Sequence, residues 1–71
     1  MKLIVLFSDT QLADLARQTR KEIARHDADL LLLKSKIVRN QCIASLRAAR
    51  EKLQEIEGEQ KARMMLAAMA S

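Results

Sequence analysis

Along this chain, largely apolar side chains recur in steps of three and four. Ala16, Thr19, Ile23, His26, Leu30, Leu33 and Ile37 form one such series. That spacing keeps positions on one face of an α-helix. Leu46, Ala49, Leu53, Ile56 and Gln60 form a second series. The two are out of phase. A heptad through 16, 23, 30 and 37 continues to 44 and 51, whereas the second series uses 46 and 53. The two-residue slip falls between Val38 and Ile43, so the chain turns or changes partner there.

The pattern predicts an all-α protein, a helical hairpin of two long antiparallel helices. Arg39-Asn40-Gln41 is the preferred turn, because Asn tolerates the left-handed conformation at a helix end and also caps a following helix. A competing break lies at 26–29, where basic residues give way to acidic ones, but the apolar series runs through it without a slip. A single continuous helix is the third possibility. The expected layout is one domain, 1–71, with an apolar N-terminal arm at 1–7, helix A at 8–38 and helix B at 42–69. Gly58 is expected to weaken helix B, as the chain's one glycine. The start of helix A is marked by Ser8-Asp9-Thr10-Gln11, which has capping-box spacing.

Length and composition then limit the core. The chain has 71 residues, one aromatic (Phe7), no Trp, no Tyr and no Pro. A chain of this size hides only ~60% of the surface its unfolded form exposes. Four consecutive leucines, Leu30 to Leu33, point all around a helix, and one neighbouring helix covers only one face of it. The core is therefore expected to be completed by a second copy or another helical protein. The interface assigned to that contact is Leu12, Ile23, Leu30, Leu33, Ile37, Leu46, Leu53 and Ile56, extended by Met64, Met65 and the 3–7 arm. Methionine suits such a surface because its flexible side chain repacks easily.

Charge adds a second reading. Thirteen Lys and Arg against nine Asp and Glu leave a net charge of +4. Lys34, Lys36, Arg39, Arg47 and Arg50 occupy 34–50 with no acidic residue among them, whereas Glu51, Glu55, Glu57 and Glu59 follow directly. On an uninterrupted helix Lys36, Arg39, Arg47 and Arg50 fall within about 80° of arc, a stripe able to follow phosphates. The alternative function is thus a small dimeric DNA-binding regulator using 34–50. Against it stand the absence of stacking aromatics and of base-reading Asn or Gln on that arc. Glu57 with Lys61 and Glu59 with Arg63 have the favourable acid-first helical spacing.

Candidate chemistry is sparse. Cys42 and His26 are single and sixteen residues apart, too few for a structural zinc site. A lone thiol without a base and an orienting group is better read as a small buried apolar residue. No Gly-rich phosphate loop is possible with one glycine. The expectations are no enzymatic activity, no cofactor and no metal. The unpaired cysteine points to a reducing compartment. The apolar run at 3–7 is shorter than a secretory signal requires, so the location expected is cytoplasmic, with no membrane partner.

The size, the missing Trp and Tyr, the hairpin reading and the segment Leu46-Arg47-Ala48-Ala49-Arg50-Glu51-Lys52-Leu53 resemble the small co-chaperones of bacterial type III secretion needle subunits. The resemblance implies a cytoplasmic bacterial hairpin that pairs with a tetratricopeptide-type chaperone and keeps the needle protein unpolymerised. On either route the function expected is a protein–protein interaction module of adaptor or co-chaperone type.

Overall fold

Two α-helices packed side by side account for most of the chain. The computed structural model describes residues 3–70. A 3-10 turn at Leu3–Leu6 (η1) leads into α1, Asp9–Leu32, and α2, Lys36–Ala70. Among the described residues there is no β-strand. The protein is a helical hairpin.

The start of α1 follows from its first residues. Ser8 takes an extended conformation, and the Gln11 amide donates to its hydroxyl at 3.2 Å. The Ser8 amide in turn donates to the Gln11 side chain at 2.8 Å. Two amides that the helix leaves unpaired are thereby satisfied.

The turn lies at 33–35, earlier than the expected 39–41. Leu33 is extended, with ψ 128°, and its amide closes α1 on the Asp29 carbonyl at 3.0 Å. The Ser35 carbonyl accepts the Arg39 amide at 2.9 Å, the first bond of α2. The physical reason is the polar triplet Lys34-Ser35-Lys36, which interrupts an otherwise apolar run and places serine, a favoured N-cap residue, at the position before α2. Arg39, Asn40 and Gln41 are helical and exposed, and the competing break at 26–29 lies inside α1. Helix A therefore ends at Leu32 rather than 38, and helix B begins at Lys36 rather than 42. Gly58 does not interrupt α2; its φ is not positive, so it takes part as an ordinary helical residue.

With the turn moved, the two series face each other. Leu12, Ala16 and Thr19 of α1 and Leu46, Ala49 and Ile56 of α2 are buried. Ile23, His26, Leu30 and Leu33 continue the α1 series half-buried, and Cys42, Leu53 and Gln60 fill in that of α2. Ile37 is a correction. The spacing puts it in the α1 series, but it lies beyond the turn in α2 and stands 72% exposed, where it stays open to the contact expected of it. Thr19 resolves its burial by donating its hydroxyl to the Leu15 carbonyl at 2.7 Å.

The best-buried cluster is small: Leu12, Ala16 and Ile56, flanked by Ile4, Leu15 and Leu53. Removing a large side chain from it loses transfer free energy and leaves a void. Leu12→Ala should therefore lower stability by about 2–5 kcal/mol, whereas Leu32→Ala, on an exposed residue, should stay within about 0.5 kcal/mol. Thermal melts followed by far-ultraviolet circular dichroism separate the two. Equal losses would place the core elsewhere.

Candidate interaction surface

Three features of the surface have the potential to make contacts: exposed apolar ends, a cationic stripe and an arginine that ties the N-terminal turn down. The apolar ends arise from helix length. Here α1 has 24 residues and α2 has 35, so α2 is ~52 Å long at 1.5 Å per residue and spans the 53 Å long axis. Arg63 lies beside Asp9 at the start of α1, with a 2.9 Å ion pair. Residues 64–70 extend past that point, and Met64, Met65, Leu66 and Met69 are exposed there. At the opposite end, Leu31 is 87% and Leu32 78% exposed, next to Ile37 and Val38.

These positions divide the interface expected from sequence. Leu12, Leu46 and Ile56 are buried within the hairpin, and Ile23, Leu30, Leu33 and Leu53 are half-buried there. Those seven side chains serve the intrachain seam. Met64 and Met65 remain available to a partner, as does Ile37. Leu31, Leu32, Leu66 and Met69 are exposed beside them. Their signal was the same leucine run and Met-rich tail, but assigning faces within them required the position of the turn.

The cationic stripe is continuous. Because α2 begins at Lys36, Lys36, Arg39, Arg47 and Arg50 lie on one helix and are all exposed. Arg50 approaches Asp27 of α1 at 3.5 Å. No ion pair to a described residue occurs at Lys34, Lys36, Arg39 or Arg47. The charge is concentrated at the turn half of the rod. Residues 30–50 hold five cations and no acid, and the rest of the chain holds eight cations against nine acids.

Ion pairs between the helices set their register. Arg20 donates to Glu57 at 3.0 Å, so Glu57 bonds across the hairpin, a partner that helical spacing alone does not reveal. Glu59 does meet Arg63, at 3.6 Å. The half-buried Arg63 guanidinium also donates to the Ile4 and Val5 carbonyls at 3.4 and 3.2 Å. One side chain thus joins η1, the α1 N-terminus and α2. Asp9, Ile4 and Val5 are more than fifty residues away in sequence, so this role had no local signature beyond the Glu59 spacing.

Cys42 and His26 also come together. The thiol donates to the His26 carbonyl at 3.4 Å, and its sulfur lies 4.0 Å from His26 Nδ1. Both are half-buried on the seam. Among the described residues no group of three or more His, Cys, Asp or Glu is placed to hold a metal ion. No helix of the described residues is long and apolar enough to cross a membrane.

In comparisons with known proteins, the chain matches no protein-family model, no curated protein and no solved structure.

Arg63 generates a specific expectation. Arg63→Ala should free the N-terminal turn while leaving the helix pair intact. Hydrogen exchange at the Phe7 amide, which now bonds the Ile4 carbonyl at 3.1 Å, should accelerate at least about tenfold, with helical content unchanged. Unaltered exchange at Phe7 would show that Ile4 packing alone holds η1.

Proposed function

We propose that the protein is a non-enzymatic interaction module of adaptor or co-chaperone type, working in the cytoplasm by lending apolar helix surface to another helical chain. One observation carries this reading. Among the described residues, twelve large hydrophobic residues are exposed, against five hydrophobic residues that are buried. Single exposed apolar residues are ordinary on any protein surface. Here they are grouped at the two ends of a rod, and grouped apolar surface marks contact sites. The resemblance of 46–53 to type III secretion co-chaperones points to the same class of activity.

Nucleic-acid binding is the second reading, favoured by the continuity of α2 through 36–50. A stripe of Lys36, Arg39, Arg47 and Arg50 on one face would neutralise phosphates, and its affinity would fall steeply with salt.

The two readings separate by substitution. Leu31→Ser/Leu32→Ser removes exposed apolar surface without touching the seam. If the first reading holds, wild type captures a stoichiometric protein partner from cells of its source, and the double variant loses it. Partner capture unaffected by the double variant would sink the assignment to the turn end. Lys36→Gln/Arg39→Gln tests the other. Under the second reading, wild type shifts duplex DNA in a gel at about 150 mM salt and the variant weakens the shift.

A further inference from the structure

We infer that a second copy of this chain packs antiparallel on α2, on the side turned away from α1, with Glu51 at the two-fold axis. The inference deepens the interaction-module reading and rests on it.

The evidence is the order of residues along that side. Ile37, Ala44, Arg47, Glu55, Gly58 and Met65 fall within about 80° of arc on α2. Their centre is opposite Leu46, Ala49 and Ile56, the residues buried against α1. With Asn40, Glu51 and Ala62 on the same arc between them, these six run apolar, small, basic, acidic, small, apolar along the helix. A reversed copy places each beside its complement. Ile37 meets Met65, Ala44 meets Gly58, and Arg47 meets Glu55 of the second chain. One register satisfies all three, because each pair is centred on position 51. Small residues at the Ala44–Gly58 contacts let the helices approach closely, and a Cβ built at Gly58 has nothing within 4 Å in the single chain.

Charge sets the orientation. A parallel copy would align the cationic half of α2 with itself, whereas a reversed copy lays it against Glu51 and Glu55, in a half whose four carboxylates slightly outnumber Lys52, Lys61 and Arg63. The two Glu51 carboxylates meet at the axis, each one helical turn from an Arg47. The surface there is already grooved. A cavity of about 640 Å³ opens between Ile4 and Val5 of η1 and Gly58 and Ala62 of α2. A second, of about 370 Å³, lies beside Ile43, Arg47 and Arg50. Both are lined by Glu51 and Gln54, so they adjoin along this side of α2. From Ile37 to Met65 the contact is ~42 Å long, and it brings the Met-rich end of each copy toward the exposed leucines of the other.

Sedimentation equilibrium of the full chain should give twice the 8.1 kDa chain mass at tens of micromolar, falling toward one chain mass on dilution. Arg47→Glu should weaken association more than about tenfold, and Arg47→Glu/Glu55→Arg should restore it to within about threefold, since the swap rebuilds the pair reversed. On a Cys42→Ser background, Glu51→Cys should oxidise to a covalent dimer, while Gln18→Cys, exposed on α1, should not. Three results would overturn the inference: a monomer at every concentration, a charge swap that fails to rescue, or equal cross-linking at positions 18 and 51. A monomer that still captures a different protein would remove self-pairing and keep the module reading. A monomer that instead shifts duplex DNA would hand the face to phosphate.

Discussion

Leu12 and Ala16 of α1 and Ile56 of α2 lose nearly all contact with water together, and the hairpin depends on that contact. Burial of a leucine or isoleucine contributes about 1.5–3 kcal/mol, so a cluster of this size stands near the lower limit of what orders a chain. The remainder of the structure supports it at little expense in hydrophobic surface. The Ser8–Gln11 box fixes where α1 starts, which sets the height of Leu12 against Ile56. Arg63 then draws Asp9 and η1 onto α2 and seats Ile4 against the same cluster. Exposed ion pairs such as Arg20–Glu57 add on the order of 0.2–1 kcal/mol each, so their main effect is to choose among registers that burial alone would leave close in energy.

The repeat of threes and fours was enough to read the fold class and nearly every inward position, because a helix converts spacing directly into direction. Thr19, His26 and Gln60 could be placed on the seam despite their polarity for that reason. The turn was less legible. A polar triplet containing serine and a triplet containing asparagine are both plausible breaks, and the phase slip lies nearer the second. Three-dimensional closure decides between them: reversal at 33–35 lets Leu30 and Leu33 complete the α1 seam and brings Cys42 to His26. Ile37 leaves the α1 series for the same reason, since its heptad position has meaning only while α1 continues. Arg63 was illegible for a different reason, because its contacts with Asp9, Ile4 and Val5 exist only after the hairpin closes.

Moving the turn also changes what the surface offers. A break at 39–41 would have divided the cations between two helices of similar length. With the turn at 33–35, α2 is eleven residues longer than α1 and carries Lys36, Arg39, Arg47 and Arg50 as one stripe. The extra length produces the overhanging Met64–Met69 segment, while the earlier reversal leaves Leu31, Leu32 and Ile37 at the tip. The Met-rich end is therefore exposed because α1 is too short to cover α2, and the apolar tip because the chain reverses there.

An uncovered helix of this kind has a requirement that hydrophobicity alone does not meet. Apolar ends would associate in many ways, since dispersion and water exclusion have little directional preference. The charges of α2 supply direction. Cations fill the half next to the turn with no acid among them, whereas the half from Glu51 carries four carboxylates against Lys52, Lys61 and Arg63, so a helix laid against α2 meets a strongly positive half and a nearly neutral, slightly negative one. Any partner that covers the whole face must match that polarity as well as the apolar ends, and like charges in the wrong orientation oppose it. The sequence of α2 contains both halves of such a match, in reversed order about Glu51. That self-complementarity sets a second copy apart from a generic apolar partner as the occupant.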